Sequence, residues 1–232
     1  MARPNDDFSH VLRVLGPPED AASTEIVWGQ TETFRPEWWV KSWPSNLPLP
    51  HFLARDDRFL SVSRQRLFEL GESVETEAEA VSFYVAVCSW GAGMSAQQTQ
   101  RCLRPLHQPD APAKLLQGLK AAALNSADDA YFEFRNYSRS RIKHLGPAFF
   151  TKLLYFASGR PSPAQNRHPL ILDRRVADAI GWANTSGWLT AEYSRYLDII
   201  EQVHGQWRPD LPTDVIEYTL FQAGRSIQAP SI

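Results

Sequence analysis

The segment that decides the fold begins with Ile142-Lys-His-Leu-Gly-Pro-Ala-Phe-Phe-Thr-Lys-Leu-Leu-Tyr-Phe-Ala-Ser158. It continues with Gly159-Arg-Pro-Ser-Pro163 and ends with His168-Pro-Leu-Ile-Leu-Asp173-Arg-Arg-Val-Ala-Asp178. The pattern predicts a helix, a tight hairpin at 142–150, a second helix, a Gly/Pro loop at 159–173, and an Asp that opens another helix. A hairpin that leads into a helix presents free backbone N–H groups, which predicts a binding site for a phosphate.

Positive charge is concentrated around this segment. Residues 135–175 contain nine basic residues and one acidic residue, so they carry a net charge of +8, whereas the rest of the chain carries −10. Such segregation is typical of a surface that binds a polyanion, although a solvated basic helix face gives the same pattern. The candidate phosphate contacts at and beside the hairpin are Arg139, Arg141, Lys143, His144, Leu145 and Gly146.

The composition of the whole chain is that of a globular protein. Its 232 residues are 43% hydrophobic and 22% charged, and they include two cysteines, Cys88 and Cys102. Neither lies in a CxxC pair or a Cys/His cluster, which argues against a disulfide scaffold, predicts no metal site and favours a reducing cytoplasm. Near the N-terminus there is no apolar signal-peptide core, and the longest apolar run is too short to span a bilayer. We therefore expect neither secretion nor membrane insertion.

The chain divides by composition near residue 75. Residues 1–75 are rich in Pro and Trp, which predicts an ordered extension that packs on the rest, with strand character at 23–28 and 59–62. Residues 76–232 have helical periodicity almost throughout, which predicts a mainly α fold. The predicted helices cover 77–90, 96–106, 113–124, a segment capped by Ser126 that passes through Tyr137, 148–158, 173–182, 190–204 and 213–223.

The order of hairpin, Gly/Pro loop and aspartate resembles the helix-hairpin-helix DNA glycosylase superfamily over residues 76–224. More narrowly, Leu145-Gly-Pro-Ala-Phe-Phe-Thr-Lys-Leu-Leu-Tyr-Phe-Ala157 followed by Leu170-Ile-Leu-Asp173-Arg-Arg-Val176 is similar to a bacterial branch of 8-oxoguanine-DNA-glycosylase-like proteins. The resemblance implies a helical glycosylase-like domain over 76–232 and a DNA N-glycosylase that acts on double-stranded DNA with a flipped modified base. It implies no cofactor and no obligatory protein partner.

Two residues depart from the pattern of that superfamily. His144 stands where the first of two hairpin glycines is usual, which leaves Gly146 alone. Ala148 stands where the members that also cut the strand carry a nucleophilic lysine. If the helix after the hairpin is aligned in this way, we expect a monofunctional enzyme that leaves an abasic site. If the alignment is shifted, Lys152 or Lys143 would supply the amine.

The resemblance makes Asp173 the catalytic carboxylate. Cleavage of a glycosidic bond builds positive charge on the sugar, and a fixed carboxylate stabilises that charge while it orients or deprotonates the attacking water. Asp173 also stands where it would cap the following helix, and capping alone is the structural alternative. Lys152 is the second catalytic candidate, and His168 lies close enough along the chain to orient Asp173.

The other implied site residues serve DNA distortion and base recognition. Gln97, in the segment Met94-Ser-Ala-Gln-Gln-Thr99, would fill the gap left by the flipped base. The base would be an oxidised purine or a bulky modified pyrimidine of viral DNA, and the second substrate would imply antiviral defence. A helix-hairpin-helix module that binds DNA without catalysis is the alternative function. The predicted base pocket contains Trp90, Phe149, Tyr155, Phe221 and Gln222, with Tyr218 as a further aromatic candidate.

Overall fold

A computed structural model of the protein describes residues 4–136, 139–165 and 167–228. These residues form a mainly helical fold, as predicted, with one two-stranded antiparallel sheet. No helix among them is both long enough and apolar enough to cross a membrane. The elements are α1 (Pro4–Leu15), α2 (Thr24–Gly29), β1 (Thr31–Phe34), α3 (Pro36–Val40), β2 (Leu60–Ser63), α4 (Arg64–Gly71), α5 (Glu77–Ala92), α6 (Ala96–Leu103), α7 (Ala111–Leu124), α8 (Ala127–Arg135), α9 (Pro147–Ala157), α10 (Arg174–Ala179), α11 (Thr190–Trp207) and α12 (Asp214–Gln228).

Helix α5 is the central helix of the fold. Thr76 and Glu79 form a capping box at its start, since each side chain binds the backbone N–H of the other residue. The helix is apolar on all sides and nearly every side chain after its first turn is buried, as expected for a helix surrounded by others. It ends where Gly93 takes a positive φ of 51°.

The helical predictions for the second part of the chain are confirmed, with shifts of a few residues at the ends. Helix α6 ends at Leu103 because a short 3₁₀ turn, Arg104–His107, follows it. Ser126 caps α8 by accepting a hydrogen bond from the backbone N–H of Asp129. The predicted passage of this helix through Tyr137 lies outside the described residues.

The N-terminal arm, residues 1–75, contains one strand where we predicted it and a helix where we predicted a strand. Strand β2 falls at the predicted position 59–62 and pairs with β1, with Glu32 opposite Val62. The prediction of strand at 23–28 is wrong, because the Ser23 hydroxyl accepts a hydrogen bond from the backbone N–H of Ile26 and starts α2. A local cap thus overrides the β propensity of the following apolar residues.

The apolar side chains of the arm belong to the same core as those of the remaining helices. Val27, Trp39, Leu67 and Phe68 are buried in one continuous cluster with the residues of α5, α9 and α12. Helix α1 packs against α11 and α12, and α4 packs against α5 and α9. The arm therefore lies next to the helices that carry the predicted site residues.

Candidate active site

The predicted hairpin is a tight turn in front of α9. The backbone N–H of Leu145 donates to the carbonyl of Ile142 across 3.2 Å, and Gly146 then caps α9. His144 has a φ of +73°, in the left-handed region that favours glycine. A histidine thus takes the backbone conformation for which a glycine is usual, and the turn is kept although the residue type differs.

Asp173 is held by three donors at the start of α10. One carboxylate oxygen accepts the backbone N–H groups of Arg175, at 3.0 Å, and Val176, at 3.3 Å. The other accepts the ammonium group of Lys152 at 2.9 Å. Burial opposes ionisation, but Lys152 and the two backbone donors together hold the pKa of this carboxyl below its ordinary value. Asp173 therefore caps its helix and remains an anion fixed in one orientation.

The amine of Lys152 lies one helical turn before its own Cα. Its Nζ atom donates to the carbonyl oxygen of Ala148 at 2.9 Å as well as to Asp173, and 7% of the side chain is exposed. Side chains of α-helices lean toward the N-terminus, which explains this reach. The stem of Lys152 passes over Gly91 of α5, where an added Cβ would come within 3.1 Å of Cδ. The absence of a side chain at Gly91 makes room for the lysine.

A cleft of about 1030 Å³ opens above this pair. The hairpin residues His144, Leu145 and Gly146 form one wall, and the predicted pocket residues Trp90, Phe149 and Phe221 lie on the others. Phe221 reaches the cleft because Gly224 allows α12 to approach the backbone of Arg175 on α10 very closely. The basic side chains that line the cleft are Lys152, Arg101, Arg104, Arg174, Arg175 and Arg225.

Two of the predicted base-pocket residues are outside the cleft lining. Tyr155 is fully buried below it, where its hydroxyl donates to a carboxylate oxygen of Asp214 at 2.7 Å. Gln222 follows Phe221 on α12, so the helical rotation of about 100° per residue turns it away from the cleft. Tyr218 also lies outside the lining, with its ring 5.8 Å from the guanidinium carbon of Arg64.

The predicted DNA contacts fall on more than one surface. Gln97 is exposed on α6 outside the cleft lining, whereas its neighbour Gln98 and the half-exposed Met94 line the cleft. Arg141 and Lys143 line a second cavity of about 800 Å³ on the other side of the hairpin, together with Lys114 and Arg135. Arg139 is exposed near this hairpin and lines neither cavity.

Part of the basic stretch serves the fold instead of a surface. Arg167 pairs with Asp128 and Asp198, and its guanidinium also donates to the backbone carbonyl oxygen of Ser194 at 3.2 Å. Arg135 donates to the carbonyl oxygen of Trp188 at 3.0 Å. The basic side chains of this stretch are therefore spread over contacts within the fold, the two cavities and other exposed positions such as that of Arg139.

Arg64, the first residue of α4, is fully buried beneath the cleft. Its guanidinium donates to Gln30 at 2.8 Å, to Tyr155 at 3.3 Å and to Glu217 at 2.7 Å. It also lies over the ring of Trp90, at 5.1 Å from the centroid. Arg64 thus joins the N-terminal arm to α5, α9 and α12 in one contact group.

A second buried carboxylate completes this network. Asp214 accepts hydrogen bonds from the indole N–H of Trp28 at 2.9 Å and from Tyr155 at 2.7 Å. Burial raises the pKa of Asp214 and of Glu217 above their ordinary values, and Arg64 partly opposes both shifts. The network was not predicted, because its members lie up to 186 positions apart and none belongs to a recognisable motif.

His168 is buried beside the loop that leads to Asp173, but it does not orient this aspartate. It is 1% exposed, and within the described part of the chain neither ring nitrogen forms a well-aligned hydrogen bond, although the backbone of Tyr155 lies close enough to interact weakly with the ring. Its ring meets that of Tyr155 edge to face, with centroids 5.9 Å apart. Burial lowers the pKa of His168 to about 4.

We expect His168 to make the protein sensitive to acid. The unfolded chain binds a proton here near pH 6.5, whereas the folded chain does so only near pH 4, so stability is full above about pH 6.5 and falls as the pH is lowered. Protonation of His168 in the unfolded chain should therefore lower the free energy of unfolding by about 2 kcal/mol between pH 7 and pH 5. Urea denaturation at both pH values should show that His168→Phe removes this loss. His51→Gln, at an exposed histidine, is the control, and an equal loss in the His168 variant would contradict the expectation.

Several cleft residues have no counterpart in the sequence predictions, among them Gln30, Glu32, Arg101 and Arg104. Gln30 and Glu32 come from the arm, Arg101 from α6 and Arg104 from the 3₁₀ turn that follows it. No local motif marks any of them. The one usable signal concerns Glu32, and it is the alternation of polar and apolar side chains along the short strand β1. That alternation can be interpreted only when the pairing of β1 with β2 is known.

The chain matches the profile of a known protein family. The profile described as "Putative 8-oxoguanine DNA glycosylase OGG-like protein" matches residues 25–221, which include the hairpin, Asp173 and every cleft residue except Arg225. No match is found among curated proteins or among solved structures. The matched region also reaches into the N-terminal arm, beyond the residues 76–224 on which the sequence resemblance rests.

Proposed function

Because the chain belongs to the OGG-like family of DNA glycosylases, we propose that it releases a modified base from duplex DNA with Asp173 as the catalytic carboxylate. One observation carries the assignment. Asp173 is an ionised carboxylate that is bound to a buried ammonium group in a cleft lined by the hairpin turn in front of α9. A group that only capped α10 would not need the second oxygen to be held by Lys152.

The proposed step is hydrolysis of the N-glycosidic bond. The oxygen of a water molecule forms a bond to C1′ of the sugar, the C1′–N bond breaks, and its electron pair leaves with the base. Asp173 stabilises the positive charge on the sugar and accepts a proton from the water, while the leaving base gains a proton from solvent. The products are a free base and an abasic site.

Lys152 supports this step as a positioning residue. Its ammonium group keeps Asp173 ionised and fixes the orientation of the carboxylate. A second candidate reaction is favoured by the position of the same amine. The Nζ atom lies at Ala148, the position where strand-cutting relatives of the superfamily would carry their lysine. After giving a proton to Asp173, this amine would form a bond to C1′ while the C1′–N bond breaks and its electron pair leaves with the base, which gives a covalent adduct.

The cleft walls support base flipping from a duplex. Backbone N–H groups at the hairpin and at the start of α9 would hold one phosphate, and the arginines at the cleft would attract the strand. Phe149 and Phe221 would stack on the flipped base. The family description favours an oxidised purine as the substrate. A bulky modified pyrimidine of viral DNA, and with it an antiviral role, is the competing substrate to be tested.

Base release from defined duplexes tests the proposal. Each duplex carries one oxidised purine, one glucosylated pyrimidine or no modification, and free base and abasic sites are measured with and without borohydride. We expect release of an oxidised purine without a trapped adduct. An adduct that is formed by wild type and by Lys143→Met but not by Lys152→Met would establish the second reaction. No release from any duplex would refute the glycosylase and favour a module that only binds DNA.

A further inference from the structure

Strand β1 directs one carboxylate of the N-terminal arm into the cleft. Side chains of a strand alternate between its two faces, and Glu32 shares its face with the buried Phe34, whereas Thr31 and Thr33 are exposed. Glu32 lines the cleft, and its Oε2 atom would be 3.6 Å from a Cβ atom at Gly93. The end of α5 has no side chain there, so the carboxylate lies above the helix and faces the cavity.

Glu32 is half-buried but unpaired. Within the described ranges it forms no hydrogen bond and no ion pair, although five arginines line the same cleft. A free carboxylate repels DNA phosphates, so its position disfavours backbone binding at this point. It favours a ligand that offers N–H groups, since an ionised carboxylate can only accept hydrogen bonds.

Gln30 lies two positions before Glu32 and also lines the cleft. Its side-chain oxygen is occupied, because it accepts the Nε–H group of Arg64 at 2.8 Å. The amide nitrogen of Gln30 therefore remains as a donor in the same cleft as the acceptor oxygens of Glu32. One donor and one pair of acceptors in the cleft match the edge of guanine, which presents an O6 acceptor, an N1–H donor and a 2-amino donor.

We propose that Glu32 determines the specificity of this site by accepting hydrogen bonds from N1–H and the 2-amino group of a guanine-type base. The inference rests on the proposed function and adds to it the edge of the base that is read. An adenine-type base has a ring acceptor at N1, which would face the carboxylate and be rejected. Burial of an unmatched carboxylate against the wrong base supplies the discrimination.

The test uses two duplexes that differ by one amino group. One carries 8-oxoguanine, and the other carries 8-oxohypoxanthine, which lacks the 2-amino group. The kcat/KM of base release and the Kd of each duplex are measured for wild type and for Glu32→Gln. Glu19→Gln is the matched control, because Glu19 is an exposed carboxylate of the same arm outside the cleft.

We expect wild type to prefer 8-oxoguanine over 8-oxohypoxanthine by about tenfold or more, because loss of the 2-amino group removes one of the two hydrogen bonds to a charged carboxylate. Glu32→Gln should reduce this preference to about twofold or less, and Glu19→Gln should leave it unchanged. A general defect of folding would lower kcat/KM equally for both substrates, so it would not change the preference. An unchanged preference in Glu32→Gln, or none in wild type, would overturn the inference. If no base is released, the ratio of the two Kd values decides it separately from the proposed function.

Discussion

Replacement of Asp173 by asparagine is expected to lower the rate of base release by about 10³-fold. The amide carries no charge, so it neither stabilises the positive charge on the sugar nor accepts a proton from water. The fold should be kept, because asparagine is as good an N-cap as aspartate and can still accept the two backbone N–H groups of α10. DNA affinity should be equal or higher, since a negative charge leaves the cleft.

The measurement is single-turnover release of an oxidised purine, paired with the Kd of the same duplex. Asp110→Asn is the control, since Asp110 is an exposed aspartate at the start of α7 outside the cleft. Loss of release together with unchanged binding supports the catalytic role. Release within about threefold of wild type would mean that Asp173 is only a cap. A variant that loses both release and binding would be examined for unfolding by circular dichroism.

Replacement of Arg64 by methionine is expected to lower the free energy of unfolding by about 3–5 kcal/mol. The change leaves the buried carboxylate of Glu217 without its partner and removes the donors to Gln30 and Tyr155. An unpaired buried charge is costly, because the protein interior does not replace the lost hydration. Methionine fills a similar volume, so the effect reports the charge and its hydrogen bonds more than a cavity.

The neighbouring Arg66 supplies a matched control for this measurement. Its ion pair with Glu69 is 2.9 Å long, but the Arg66 side chain is 60% exposed. Arg66→Met should therefore cost less than about 1 kcal/mol in the same urea titration. The double variant Arg64→Met, Glu217→Leu should recover part of the loss, since removal of both charges leaves none unpaired. Equal effects at Arg64 and Arg66 would contradict the assigned role of the buried network.

The parts of this structure that sequence reasoning predicted are those determined by short-range signals. Ser126 and Asp173 each precede a helix that begins where a capping side chain predicts it. The relation between Asp173 and Lys152 was accessible through the resemblance alone, because 21 positions separate the two residues. The alignment places Ala148 where strand-cutting members carry their lysine and leaves Lys152 as an alternative amine, but only the structure shows that the Lys152 side chain reaches back one turn to the carbonyl oxygen of Ala148.

The unpredicted parts depend on contacts between distant segments. Tyr155 and Phe149 are both aromatic residues of α9, and the sequence does not say that one meets Asp214 while the other faces the cleft. The charge of the basic stretch also does not reveal that Arg167 is paired with acids of α8 and α11. In the sequence, Glu32 lies in no motif and in no cluster of charged residues. Its place in the cleft is therefore seen only in the structure, where β1 packs on α5.

The ion pair between Arg64 and Glu217 affects how the chain folds while it is being synthesised. The two residues are 153 positions apart, and Trp28 and Asp214 are 186 apart. At about 5–20 residues per second of synthesis, the arm waits roughly 8–37 s for these partners after it leaves the ribosome. During this time the indole and guanidinium groups of the arm lack the helix that covers them. We expect nascent chains to need protection by chaperones until α12 has emerged.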